Sequence, residues 1–154
     1  MNYFLRIFGQ KKKSPTVNEV KKFIHEGFFF EQEPVIEVYE IDELNWSIKI
    51  NYEHKLEPII ISCSVHDIEG KNALNEIKFV LEVSKESLPK QRILKLIDTI
   101  VIYYKIEINQ NELTKDAWEM LDTIEAMLMR YCNGILFTAD NVFYDEKLKK
   151  FYKL

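Results

Sequence analysis

One stretch of the sequence, residues 113–144, constrains the fold more than any other, because it combines a long amphipathic helix, a stop signal and an apolar hairpin. Its apolar side chains recur at the three- and four-residue steps of an α-helix, at Ala117, Leu121, Ile124, Leu128 and Tyr131. Thr114 precedes them with the hydroxyl that a helix N-cap needs. Asn133 and Gly134 follow, and both tolerate the left-handed backbone that ends a helix. The spacing therefore predicts a helix over residues 115–131.

Two short apolar runs follow this helix, at residues 135–137 and 142–144. The four residues between them are turn formers or small, which predicts a C-terminal β-hairpin. A helix and a hairpin with so many apolar side chains must pack on a larger structure, which the rest of the chain has to supply.

Residues 35–84 alternate between apolar and polar side chains, the pattern of strands with one buried face. The alternation is cleanest at residues 46–52 and recurs at residues 59–65 and 77–83, with residues 69–72 as a turn. Short connections between successive runs favour an antiparallel meander. A short helix over residues 17–25 precedes this region.

A second long helix is predicted from Ser87, its N-cap, along an apolar stripe that extends to Tyr104. Together with the helix over residues 115–131 it forms a pair that can cover the apolar face of the meander. Strands followed by helices define the α+β class. The predicted fold is therefore an antiparallel β-meander covered on one face by a pair of amphipathic helices, with a C-terminal β-hairpin.

Length and composition predict a single α+β domain over residues 14–154, preceded by a distinct segment, residues 1–13. A chain of 154 residues, 47% of them apolar and 30% charged, has the size and core of one domain. Residues 1–13 are apolar and then basic, with no acidic side chain. We expect them to pack locally as a terminus or, as a helix, to contact an anionic membrane surface.

Charge and cysteine content narrow the class of protein further. The net charge of −4 argues against general nucleic-acid binding. Cys63 and Cys132 are too few for a disulfide framework, and we expect both to be buried thiols in a reducing compartment. No run is long and apolar enough to span a bilayer, and the first residues lack the order of a signal peptide. A cytoplasmic location is therefore expected.

No catalytic, cofactor or metal motif is present in the sequence. It has no Gly-rich phosphate loop, no zinc-spaced cysteine pair and no calcium loop. Cys63 and His66 occupy odd and even strand positions, so they point to opposite faces and do not form a dyad. The prediction is a protein that is not an enzyme and needs no cofactor; an enzyme with a dispersed site near His54, His66 or Glu125 is the alternative.

Isolated acidic side chains near the C-terminal half have simpler interpretations. Asp140, Asp145 and Glu146 surround the predicted hairpin, and we expect turn chemistry there rather than a hard-cation site. Glu125 lies near the edge of the apolar stripe of its helix, and we expect it to be exposed. A buried carboxylate at that position would have a raised pKa.

Residues 31–43 carry the most informative polar pattern, with six acidic side chains, no Lys or Arg, and aromatic and apolar residues between them. Such a segment suits a protein that covers a basic surface, because opposed potentials steer association. The alternative is an acidic edge strand that resists sheet-to-sheet aggregation. The candidate partner-binding residues are Glu31, Glu33, Glu37, Tyr39, Glu40, Asp42 and Glu43.

The end of the chain resembles a known class of protein. Residues 131–137 (YCNGILF) and 141–145 (NVFYD) are similar to the C-terminal helix, Asn-Gly-Ile turn and Phe-Tyr-Asp hairpin of small bacterial immunity proteins from polymorphic or contact-dependent toxin systems. The resemblance implies a single α+β domain, no catalysis and tight binding to a cognate toxin. It implies no shared catalytic or binding residue.

These observations predict a cytoplasmic immunity protein that neutralises a basic toxin domain, such as a nuclease, by occluding it. The first alternative is a peripheral membrane or assembly component anchored through residues 1–13. The second is the enzyme with a dispersed site. The sequence leaves the oligomeric state and the identity of the partner open.

Overall fold

A computed structural model describes residues 3–28 and 30–154, and within them the chain forms one eight-stranded antiparallel sheet with helices on both faces. The order of the strands across the sheet is β2-β3-β4-β5-β1-β6-β7-β8. The α+β class is confirmed. In chain order the elements are β1 (Tyr3–Gly9), α1 (Val17–Gly27), β2 (Val35–Asp42), β3 (Asn45–Asn51), β4 (Ile59–Ser64), α2 (Ile68–Glu82), α3 (Leu88–Ile97), β5 (Ile102–Ile108), α4 (Lys115–Cys132), β6 (Gly134–Thr138), β7 (Val142–Tyr144) and β8 (Lys150–Lys153).

The sheet separates two hydrophobic cores, because neighbouring residues of a strand point to opposite faces. Ile7 and Tyr104 face the first core, which α1 and α4 cover. Their neighbours Phe8 and Tyr103 face the second core, which α2 and α3 cover. We call these the main core and the second core. The helices therefore cover the sheet from both sides, and the predicted covering of one face is wrong.

β1 lies near the middle of the sheet, hydrogen-bonded to β5 on one side and to β6 on the other. Leu5, Ile7 and Phe8 are buried there. Residues 1–13 were expected to pack locally as a terminus or to form a helix. The helix is wrong for Tyr3–Gly9, which form a strand that shares the sheet with the rest of the chain. The first two residues lie outside the described part. Gly9 is required at this strand end, since an added Cβ would lie 2.5 Å from Ile102 Cγ2 and 2.6 Å from Cys132 Sγ.

Two other segments adopt an element different from the one expected. α2 occupies residues for which a turn and a strand were predicted, and it begins where Asp67 accepts a hydrogen bond from the Gly70 N–H at 3.0 Å. Leu74, Ile77 and Leu81 provide its buried helical stripe. The alternation that suggested a strand depended on Phe79, which is exposed.

The helix predicted from Ser87 to Tyr104 is also wrong in its second half. α3 ends at Ile97, and β5 begins at Ile102. Because residues 102–104 of β5 are buried on both faces, they run on without alternation and continue the apparent helical stripe. α3 packs with α2 in the second core rather than with α4.

The stretch that constrained the fold is confirmed in detail. α4 begins at the predicted cap, where Thr114 accepts a hydrogen bond from the Ala117 N–H at 3.2 Å. It ends at Asn133, whose backbone is left-handed with φ of 52°. β6 and β7 form the expected hairpin, and β8 adds an edge strand beside it.

Candidate functional site

The predicted acidic segment lies at one edge of the sheet, where β2 is hydrogen-bonded to β3. All seven candidate partner-binding residues are exposed. Large apolar side chains are exposed between them, with Val35 65%, Tyr39 66% and Ile41 71% accessible. β2 is therefore an acidic edge strand with apolar surface beside the charge.

The structure distributes the seven residues over both faces of β2 and its two flanking loops. Glu37 and Tyr39 pair with Lys49 and Ser47, on the face opposite the main core. Glu40 pairs with Trp46, which is buried in the main core, and therefore projects on the other face. The remaining residues precede or follow the strand, namely Glu31, Glu33, Asp42 and Glu43. They surround the edge rather than forming one flat surface.

Three of the six carboxylates among these residues have partners within the chain. Glu33 Oε1 lies 2.8 Å from His25 Nδ1, and Glu37 Oε2 lies 3.6 Å from Lys49 Nζ. Asp42 accepts hydrogen bonds from the Asn45 side chain at 2.8 Å and from the Leu44 N–H at 2.9 Å. These bonds, that from Asn45 first, lower the pKa of Asp42. Asp42 therefore shapes the β2–β3 turn.

A second polar feature lies inside the main core, at Glu125 of α4. Its side chain is only 3% exposed, so the expectation of an exposed edge position is wrong. No hydrogen bond to it comes from the part of the chain that the structure describes. Burial, followed by the charge of Asp122, raises the pKa of Glu125 to about 8. The carboxyl is therefore buried, unpartnered and easily protonated.

Glu125 lines a pocket of about 300 Å³ between α4 and the strands β1, β6 and β7. Trp118, Asp122 and Glu125 follow one another at helical spacing along one side of α4. The strands contribute Tyr3, Thr138 and Tyr144, and leucine side chains complete the wall. We call this cavity the Glu125 pocket.

The strand side of the Glu125 pocket is held by a small hydrogen-bond network. The Tyr3 hydroxyl donates to Asp140 Oδ2 at 3.0 Å. Burial raises the pKa of Tyr3, with opposing contributions from Thr138 and Asp140. Thr138 is buried, and its hydroxyl donates to the Val142 carbonyl at 3.5 Å. The network fixes Tyr3 at the start of β1 against the hairpin.

Sequence reasoning missed the Glu125 pocket, although one signal for it was present. Met129 and Cys132 follow Glu125 at steps of four and seven residues, so apolar residues extend the stripe of α4 on the side where Glu125 lies. The strand residues gave no signal, because Tyr3 and Tyr144 meet only through the pairing of β1 with β6.

A further pair of clefts lies at the opposite half of the sheet, beside His54. Each measures about 360 Å³, and the lining of one includes Glu31, Glu53, His54 and Asp116. Tyr52 lies beneath it, and burial, followed by the charge of Glu112, raises the pKa of its hydroxyl to about 12. Clefts therefore exist at two of the three positions named for the enzyme alternative, which remains a prediction.

The two thiols are buried and free, as expected. Burial is the main cause that raises the pKa of Cys63 to about 11 and that of Cys132 to about 12. The Cys63 thiol donates to the Leu44 carbonyl at 3.4 Å. Neither group is poised as a nucleophile, since a thiol with so high a pKa is not ionised at neutral pH.

Neither a family model, nor a curated protein, nor a solved structure matches the chain at a significant level. Over residues 3–28 and 30–154, no three His, Cys, Asp or Glu side chains are grouped to hold a metal ion. No helix of the same residues has the length and hydropathy to cross a bilayer. Function has to be argued from the β2 edge and the Glu125 pocket themselves.

Proposed function

We propose that the chain is a non-enzymatic binding protein whose β2 edge covers a basic surface of a protein partner. The observation that carries the proposal is the combination of acidic and large apolar side chains, all exposed, on one edge strand. Protection of an edge against aggregation needs charge, but it does not need exposed Tyr39 and Ile41 beside the charge. Tyrosine is enriched at protein interfaces, where it contributes contact area and a hydrogen bond.

The arrangement supports occlusion as the mechanism. Side chains on both faces of β2 and in its flanking loops can surround a projecting part of a partner, whereas a single face can only lie against it. Acidic groups around the edge attract a basic partner over several ångströms and orient it. The free hydrogen-bonding edge of a strand also allows a partner strand to be added to the sheet.

The resemblance of residues 131–145 to immunity proteins suggests the class of partner. On that basis we propose that the partner is a bacterial toxin domain with a basic surface, neutralised in the cytoplasm by steric covering of its active site. Many toxin domains that cut nucleic acids have basic active-site surfaces, which an acidic edge complements.

The partner is first identified by purifying the tagged chain from its native cells and determining the proteins that accompany it. A stoichiometric basic protein is expected. The decisive variant is then Glu37→Lys combined with Glu40→Lys, measured by binding affinity at several salt concentrations. We expect affinity to fall at least tenfold and its salt dependence to flatten, because the attractive charge is removed.

The matched control is Glu76→Lys combined with Glu82→Lys, which makes the same change of charge on exposed positions of α2. This control should leave binding nearly unchanged. An equal loss in both variants would show that only the net charge of the chain matters. Unchanged affinity in the β2 variant would remove this edge from the interface.

The membrane alternative depended on apolar side chains of residues 1–13, and three of them, Leu5, Ile7 and Phe8, lie inside the sheet. They are not available to insert into a bilayer while the sheet is folded. Binding of the full-length folded protein to anionic liposomes would nevertheless restore that alternative.

A further inference from the structure

We propose that the Glu125 pocket binds a small organic cation, a primary or secondary ammonium ion with an apolar body. The proposal depends on residues of α4, β1, β6 and β7, and on none of the β2 edge. It therefore stands or fails independently of the proposed protein partner.

The Glu125 carboxyl has no cationic partner among the residues that line the pocket. A buried carboxylate without a partner is costly, and buried charges in proteins are normally paired or hydrogen-bonded. The residues described around this pocket include no Lys, Arg or His. A leucine or methionine at position 125 would continue the apolar stripe of α4 at no such cost. The protein therefore supplies no cation to pair with the Glu125 carboxylate, and a bound ligand would have to supply it.

The remaining wall of the pocket is mainly aromatic and apolar. Three aromatic side chains, Tyr3, Trp118 and Tyr144, line the pocket together with leucines. Aromatic faces attract ammonium ions, and carboxylates pair with them, so the two kinds of group favour the same ligand. Asp122 and Glu125 repel anions. The apolar wall and the presence of only two carboxylates disfavour a hydrated metal ion.

The volume of the pocket limits the size of the ligand. About 300 Å³ is the lower end of the range for small-molecule sites. The ligand is therefore a small amine that places its charge at Glu125 and its carbon skeleton against Trp118 and the leucines.

Protonation of Glu125 should control this binding. The titratable groups that line the pocket are Asp122 on the same helix, Tyr3 from β1 and Tyr144 from β7, with Asp140 held by Tyr3. All are acidic or neutral, so they favour the protonated carboxyl when the pocket is empty. An ammonium ion favours the ionised carboxyl, and its binding should release a proton from Glu125. Affinity should therefore increase as the pH rises from 6 to 9.

The test uses the full chain, with n-butylammonium and benzylammonium as probes and benzyl alcohol and benzoate as the neutral and anionic comparisons. Binding is followed by two-dimensional NMR, with the indole N–H signal of Trp118 as the local reporter. Both ammonium ions should bind saturably at pH 9, at least tenfold more tightly than benzyl alcohol. n-Butylammonium has a pKa close to that of the lysine ammonium and stays protonated from pH 6 to pH 9, so the pH dependence of its affinity reports on the protein.

The variant Glu125→Gln keeps the shape of the side chain and removes its charge, and it should weaken ammonium binding at least tenfold. Glu119→Gln is the matched control, because it makes the same change at an exposed position of α4. It should leave the affinity unchanged.

Three results would overturn the proposal: no saturable ammonium binding at the Trp118 signal, equal affinity for benzyl alcohol, or unchanged affinity in Glu125→Gln. If that variant does not fold, the wild-type protein still decides. An ammonium affinity that fails to increase between pH 6 and pH 9 would exclude pairing with Glu125.

Discussion

The two cores on opposite faces of the sheet differ in extent and in whether their buried charged side chain has a partner within the chain. Among the described residues, the main core extends from β3 to β6 under α1 and α4. The second core, under α2 and α3, covers only the half of the sheet around β5, β1, β6 and β7. Among the Asp, Glu, Lys and Arg side chains of the described residues, each core region buries one, Glu125 in the main core and Lys90 in the second core.

The two buried charges have opposite surroundings. Lys90 is 5% exposed, and its ammonium donates to the Ser84 carbonyl at 2.9 Å with Glu86 Oε2 at 3.8 Å. It therefore connects the start of α3 to the end of α2. Glu125 has no such partner in the described chain and lies against a cavity. Lys90 therefore stabilises the contact between α2 and α3, whereas the fold alone gives no reason for a buried carboxyl at Glu125.

The largest expected effect tests whether both faces of β1 belong to true cores. Ile7→Ala should destabilise the main core and Phe8→Ala the second core, each by about 3–5 kcal/mol, because both side chains are fully buried and leave cavities. Denaturant unfolding followed by circular dichroism gives both values. The control is Phe79→Ala on α2, where the ring is 67% exposed and the cost should stay within about 0.5 kcal/mol.

A loss of stability in Phe8→Ala as small as that in Phe79→Ala would contradict the presence of a packed core on the second face of the sheet. The same pair of variants sharpens the membrane question. If both Ile7→Ala and Phe8→Ala unfold the protein readily, any loss of liposome binding in such variants reports on folding rather than on an anchor.

The next largest effect comes from Glu125 itself. Its pKa rises from 4.5 to about 8 on burial, so the folded state holds the proton more tightly than the unfolded state. The stabilising contribution of the protonated form is complete below pH 4.5 and is lost as the pH rises through about 8. Glu125→Gln lacks this loss and should be about 2–4 kcal/mol more stable than the wild type at pH 9.

At pH 5 the same two proteins should differ by less than about 1 kcal/mol, since the carboxyl is then neutral in the folded state. Urea unfolding at both pH values measures the difference. If the difference in unfolding free energy between Glu125→Gln and the wild type did not change with pH, Glu125 would be ionised at both pH values. The proposed difference between an unpartnered Glu125 and a partnered Lys90 would then be lost.

The difference between the two faces also explains how much of the fold the sequence reveals. β3 and β4 have one buried and one open face, so Trp46, Ile48 and Ile50 alternate with polar residues and were correctly assigned. β1 and β5 are each buried on both faces over part of their length, at residues 7–9 and 102–104. Their apolar runs carry no period, and helices were predicted instead. Local spacing identifies an element only where water contacts one side of it.

The candidate sites were likewise predictable only where their residues are close together in the sequence. The acidic β2 edge is continuous in sequence and was found as a segment, although its division over two faces required the register with β3. Glu125 was noticed, but its burial depends on strands from both ends of the chain. Tyr3 reaches Asp140 across 137 positions, a contact that no local pattern encodes.

The third prediction concerns Lys90, the partnered member of the comparison. Lys90→Met keeps the length of the side chain but leaves the Ser84 carbonyl without its donor, and it should cost about 1–2 kcal/mol at any pH between 5 and 9. Lys95→Met, at an exposed position of the same helix, should cost less than about 0.5 kcal/mol. A stabilised Lys90→Met protein would mean that this ammonium, like the Glu125 carboxyl, is not needed by the fold.

The smallest effect compares the N-caps of one helix from each face. Thr114 accepts from the Ala117 N–H at 3.2 Å and begins α4, and Ser87 accepts from the Lys90 N–H at 3.2 Å and begins α3. Thr114→Ala and Ser87→Ala should each cost about 1 kcal/mol in thermal or denaturant unfolding, because each leaves one first-turn N–H unsatisfied. Thr114 also stands at the start of the helix that carries Glu125. If Thr114→Ala weakened ammonium binding as strongly as Glu125→Gln, the position of α4, rather than the charge at Glu125, would determine the affinity of the pocket; a loss of stability with unchanged affinity would leave the charge as the cause.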